Sequence, residues 1–97
     1  MAAFLIAHTT IKNQDKFAAY GAAVPESLKP FGGSIVTRGA VAEVLDGEHG
    51  AKLVAILSFP DQASLKGWFE SDAYQALIPN RREAAVMTLI AYNEPPA

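Results

Sequence analysis

The chain has 97 residues and a mass of 10.3 kDa, enough for one domain around a single core and too few for two. Hydrophobic residues make up 51% and charged residues 19%; the low charge, against roughly 25% in an average soluble domain, excludes disorder. A net charge of −2 without any Lys/Arg run excludes a nucleic-acid footprint, and the absence of cysteine removes disulfides, thiolate zinc sites and a Cys nucleophile together.

The apolar run from Met1 to Ala7 has no basic start and ends at His8-Thr9-Thr10, so it reads as a first β-strand (residues 4–9) rather than a secretory signal. No stretch approaches the ~20 apolar residues of a membrane span, and a cytoplasmic protein with no membrane contact is expected. Asn13 suits a helix N-cap, with Asp15 in the first turn. Phe17, Tyr20, Val24 and Leu28 then recur on one helical face. Pro25 falls inside that pattern and is expected to kink or break it. Pro30-Phe31-Gly32-Gly33 makes a turn into a second strand over residues 34–38, which is expected to continue over 41–45 beyond Gly39. Residues 46–50, rich in Gly and Asp, form a connection. A third strand covers 52–59 and stops at Pro60. Asp61 caps a second helix bearing Leu65, Trp68 and Phe69. Ser71 caps a shorter piece with Ala73, Tyr74 and Leu77 that ends near Pro79. Residues 86–92 form the last strand, and 93–97 a tail.

The order is β-α-β-β-α-β. Displacing the chain by 48 positions lays Asn13 on Asp61, Phe17 on Leu65 and Tyr20 on Trp68, cap on cap and core on core. Two related β-α-β units with right-handed crossovers interleave into a ferredoxin-like α+β fold, a four-stranded antiparallel sheet with both helices on one face. Alternation along the strands leaves apolar residues on both faces of this sheet: Phe4 and Ile6 against Leu5 and Ala7, Val54 and Ile56 against Leu53 and Leu57, Ile90 and Tyr92 against Met87 and Leu89. Two helices cover one face only. The other would exceed the roughly 300–600 Å² of a monomer's largest apolar patch, so a homodimer packed sheet on sheet is expected.

Two stretches carry a family resemblance: Pro30-Phe31-Gly32-Gly33, Thr37-Arg38-Gly39 and Glu43-Val44-Leu45-Asp46-Gly47 in the first half; Phe59-Pro60-Asp61, Trp68-Phe69, Ser71-Asp72, Tyr74-Gln75-Ala76-Leu77 and Arg81 in the second. Over nearly its whole length the chain resembles the domain-of-unknown-function family numbered thirteen-thirty, in the dimeric α/β-barrel superfamily. The resemblance implies a ferredoxin-like protomer and a dimer whose sheets face each other. That superfamily includes cofactor-free monooxygenases, small isomerases and haem-binding enzymes, while this family has no established activity. The family's polar pattern falls on Arg38, Ser71, Tyr74 and Arg81, with Trp68 at its aromatic position. The chain departs from it at Asp46, where Glu is common, and at Ile78, where Arg is frequent. The second departure thins the Arg-rich face after Tyr74.

Among the candidate residues, His8 alternates with Phe4 and Ile6. It reads either as a general acid/base facing the interior or as a hydrogen-bonded structural histidine. His49 reads as a loop residue, and two distant histidines without Cys make no metal set. Arg38 offers a bidentate clamp for a carboxylate or an ion pair with Glu43 or Asp46. Arg81-Arg82-Glu83 reads as anion recognition beside Tyr74 or as a solvated ion-pair cluster. Trp68, Phe69, Tyr20 and Tyr74 read as core packing, or Trp68 and Tyr74 read, with His8, as the walls of a pocket between sheet and helices. Ser71 reads as a helix cap. The functional expectation is a homodimer, with no cofactor and no metal, that acts on a small apolar or aromatic molecule. In one form it is a monooxygenase- or isomerase-like enzyme using His8, with Arg38, Trp68, Ser71, Tyr74 and Arg81 around the ligand. In the other it is a non-catalytic ligand-binding or regulatory dimer.

Overall fold

Strand-forming and helix-forming segments alternate along the computed structural model, which describes residues 2–95. The elements are β1 (Ala3–Ile11), α1 (Gln14–Leu28), a 3₁₀ turn (Lys29–Phe31), β2 (Ser34–Ala40), β3 (Leu53–Phe59), α2 (Gln62–Glu70), α3 (Asp72–Gln75), α4 (Ile78–Ala84) and β4 (Ala85–Asn93). The strands form one sheet in the order β2-β3-β1-β4, antiparallel throughout. With the helices packed on one side, this is the ferredoxin-like α+β arrangement.

All three expected caps are formed. Asn13 Oδ1 accepts from Lys16 N at 3.0 Å, Asp61 Oδ1 from Ser64 N at 2.7 Å and Ser71 Oγ from Tyr74 N at 3.2 Å, each satisfying a donor that the first helical turn leaves free. The turn before β2 depends on its glycines. Gly32 has a left-handed φ of 67°, and a Cβ at Gly33 would fall 2.7 Å from the Phe59 ring.

Three expectations are corrected. Pro25 neither breaks nor ends α1, which runs on to Leu28. The carbonyl it leaves without a donor is that of Gly21, Pro25 itself is exposed, and burial of Val24, Ser27 and Leu28 holds the final turn. Residues 41–45 do not prolong β2. Residues 41–52 form an irregular loop closed at its base by a 2.8 Å bond from Val41 N to Lys52 O, and Leu45 is 87% exposed, with nothing to pack on. Pro79 starts a helix instead of stopping one, standing in the first turn of α4, where its missing N–H costs no bond. Within β2, a bulge at Val36 shifts the register between Ile35 and Thr37 and turns that exposed side chain out of the ladder.

Sheet register decides which faces are covered. Ala3, Leu5, Ala7 and Thr9 of β1, with Leu57 and Phe59 of β3, are buried against the helices, where Tyr20, Val24, Leu28, Leu65, Trp68, Tyr74 and Ile78 complete the core. The opposite face carries Phe4, Ile6, His8, Val54, Ile56, Ile90 and Tyr92, half-buried or exposed. Phe4 and Tyr92 stack there with ring centroids 5.1 Å apart. Among the described residues, no helix is long and apolar enough to cross a membrane.

Candidate functional site

A cavity of about 530 Å³ lies between α1 and the sheet, within the ~300–1,000 Å³ range of ligand pockets. Its origin is local. Along one flank of α1 stand Ala18, Gly21 and Ala22, Ala18 and Ala22 exposed and all three too small to close the space beside the face that carries Phe17, Tyr20 and Val24. Leu5, Ala7, Leu57, Met87 and Leu89 make an apolar floor, and Trp68 closes one side. Beside the Trp68 indole, the polar side chains among the described lining residues are Thr9, Tyr20 and Arg38, and of these described residues only Arg38 is charged.

Arg38 reaches this cavity because the bulge in β2 leaves it opposite Ala55, on the helix-facing side of the sheet. It is exposed, which puts it at the rim. Among the described residues its guanidinium has no ion-pair or hydrogen-bond partner, so the pairing with Glu43 or Asp46 is absent. An unpaired, always-charged fork beside apolar walls suits one carboxylate.

The remaining residues of the expected site do not converge there. His8 lies on the other face of the sheet, paired in register with Val54 and Thr88. The period of two places it with Phe4 and Ile6, and the helices cover Leu5, Ala7 and Thr9 instead. The pocket of His8, Trp68 and Tyr74 is therefore not formed. His8 meets His49 across a 5.1 Å edge-on ring contact, and its buried Nδ1 has no hydrogen-bond partner among the described residues. Tyr74 is fully buried and does not line this cavity, its ring centroid 4.2 Å from that of Trp68. Ser71 is consumed by its cap, since its Oγ also donates to Trp68 O at 2.7 Å. Arg81 is on α4, away from Arg38, and lines a different cavity. Ile78 is 8% exposed within the core, so a guanidinium at that position would have to be buried. Among the described residues no three His, Cys, Asp or Glu side chains are grouped to hold a metal ion.

Two buried polar connections hold the aromatic core behind the cavity. Arg81 Nη1 donates to the Tyr74 hydroxyl at 2.8 Å, and the Tyr74 and Tyr20 hydroxyls share a further bond of 2.8 Å. Burial, and then the neighbouring Tyr74, push the Tyr20 phenol far above its ordinary pKa, so it stays protonated. Trp68 Nε1 donates to Ser27 Oγ at 2.9 Å, and Ser27 Oγ donates to Val24 O at 2.6 Å. Sequence reasoning passed over Ser27. The signal was present, because positions 20, 24, 27 and 28 share one helical face and a buried indole needs an acceptor. At the surface, the cap bonds hold the Asp61 carboxyl below the ordinary carboxylate range, and the Lys16 ammonium at 2.8 Å does the same for Glu83.

The fold is that of a ferredoxin-like protein, with a cavity of about 530 Å³ between helix and sheet. The chain belongs to the family described as Domain of unknown function (DUF1330), whose model matches residues 2–94. Among solved structures it is similar to the RPA0582 protein of unknown function from Rhodopseudomonas palustris, at 19% identity and a TM-score of 0.78, over 98% of this chain and 84% of that one. It is also similar to a dimeric ferredoxin-like protein of unknown function from Jannaschia sp. (9% identity, TM-score 0.78, 97% of this chain and 100% of that one). A third similar structure is SnoaB, a cofactor-independent oxygenase from Streptomyces nogalater, at 10% identity and a TM-score of 0.71, over 99% of this chain and 95% of that one. At these identities the likeness is one of fold. No curated protein matches in sequence.

Proposed function

We propose that this chain binds a small molecule with an apolar body and a single anionic group in the cavity beneath α1, acting as a homodimer closed through the open sheet face. The observation that carries the reading is the unpaired Arg38 at the rim of an otherwise apolar space of about 530 Å³. An aromatic or short aliphatic carboxylate satisfies both halves of that environment, burying its body against Leu5, Leu57 and Trp68 and presenting its charge to the guanidinium.

Binding without turnover is the better-supported form of the reading. At neutral pH none of Thr9, Tyr20 and Arg38 is a base: the raised pKa of Tyr20 keeps its phenol neutral, and its hydroxyl is already bonded to that of Tyr74. The catalytic alternative, a cofactor-free monooxygenase- or isomerase-like enzyme, has the cofactor-independent oxygenase among its fold relatives. It loses His8 as the group that would act inside this cavity. The dimer rests on the half-exposed apolar face around Ile6, Ile56 and Ile90 and on fold relatives described as dimeric.

Titration with naphthoate, followed at the amide NMR signals of Ala18, Gly21 and Arg38, tests the assignment. Arg38→Gln should weaken binding at these signals about tenfold, the value of one charge-assisted bond. His8→Ala should leave it unchanged. Naphthamide binding as well as naphthoate would remove the role of Arg38, and recovery of a chemically altered ligand would favour the enzyme.

A further inference from the structure

A second cavity, of about 570 Å³, opens on the helix side of the sheet between α2, α4 and β4. Leu5, Met87 and Leu89 are common to both floors, but the roof and the charges differ. Gln62, Leu65, Lys66 and Phe69 stand at the first, fourth, fifth and eighth positions of a single face of α2, and Arg81 enters from α4. Three features of this space are not explained by the packing of the fold.

The first is charge. Among the described residues, Lys66 and Arg81 are the only charged ones lining the cavity, no carboxylate faces them there, and neither has an ion-pair partner. The second is preorganisation. Tyr74, itself fully buried, accepts from Arg81 Nη1 at 2.8 Å and holds the guanidinium in place, so little side-chain freedom remains to be lost when an anion arrives. The third is an orphan. Gln62 Oε1 is buried and has no hydrogen-bond partner among the described residues, a state that natural proteins avoid. A ligand hydroxyl would satisfy it, and turning the amide end for end would present Nε2 to a carboxylate.

We infer that this second cavity is a separate site for an amphipathic carboxylate. Its apolar body lies against Phe69, Met87 and Leu89, and its charge is held by Lys66 and Arg81 with Gln62 as the neutral polar contact. The site uses none of the groups that distinguish the cavity beneath α1, so it stands whether or not Arg38 binds a ligand.

The same naphthoate titration separates the two, read now at the Gln62 side-chain amide and the backbone amides of Lys66, Phe69 and Ala91. These signals should move together and saturate. Lys66→Glu, at an exposed position, should weaken that binding about tenfold, Ala91→Phe should fill the space and abolish it, and Arg38→Gln should leave it intact. Movement confined to Ala18, Gly21 and Arg38 overturns the second site and leaves the first. Movement at Gln62 that Lys66→Glu does not weaken overturns the assignment as an anion site. Should no signal move at either cavity, both readings fail.

Discussion

Gly21 provides the sharpest test of the cavity beneath α1, because stability and binding are expected to move in opposite directions. It sits in the interior of α1, where glycine costs about 0.8–1 kcal/mol relative to alanine. A Cβ placed there meets nothing within 4 Å, so Gly21→Ala carries no steric penalty against that gain. The stability of the folded chain should rise by about 0.5–1 kcal/mol. For a domain of this size each kcal/mol raises Tm by about 4–8 °C, compared at fixed protein concentration because a dimer's Tm depends on it. Gly21→Phe goes further, since its ring enters the space between Ala18, Ala22 and the apolar floor. It should leave the chain at least as stable as the natural sequence and abolish naphthoate binding at the Arg38 end. The assays are thermal unfolding by circular dichroism and the NMR titration above. A loss of stability in Gly21→Ala would show that α1 lies closer to the sheet than described. A folded Gly21→Phe chain with unchanged affinity there would refute the cavity as the ligand site.

Ser27→Ala should destabilise the chain by about 1–3 kcal/mol in urea titration, because the buried indole N–H of Trp68 loses the acceptor it now has at 2.9 Å; an effect within ~0.3 kcal/mol would contradict that pairing. Alkaline pH should unfold the protein in a way that depends on Tyr20. Its folded-state pKa is raised, so its contribution is complete below the ordinary phenol pKa of about 10 and declines as pH rises past it. Urea stability should therefore fall more steeply between about pH 9.5 and 11.5 in the natural chain than in Tyr20→Phe, and equal slopes would count against the buried, neutral phenol. Ile56→Asp, near the middle of the open face, should halve the mass seen by light scattering at micromolar concentration. A natural chain that is already monomeric there would end the dimer proposal.

Much of the architecture was legible because its causes are local. The caps at Asn13, Asp61 and Ser71 each act on an N–H three residues ahead. The alternation along β1, β3 and β4 and the helical spacing of Tyr20, Val24 and Leu28 are likewise properties of short windows, so the β-α-β-β-α-β order follows from them. Where local rules compete with burial they mislead. Pro25 is carried through α1 by the buried residues around it, and the apolar residues 41–45 find no neighbouring strand to pair with beyond Val41. The candidate site was legible only in part, since residue types identify chemistry and leave open the direction in which each side chain points. His8 and Thr9 are adjacent in sequence, yet they fall on opposite faces of the sheet, and the helices cover the face of Thr9. Arg38 and Arg81 looked like partners and line separate cavities. Element type and order were thus written into the chain as short-range pattern. The side of the sheet that the helices cover, and with it the groups that share a cavity, came from pairing between β1 and its neighbours and from the packing of α1 and α2, contacts between residues far apart in the chain.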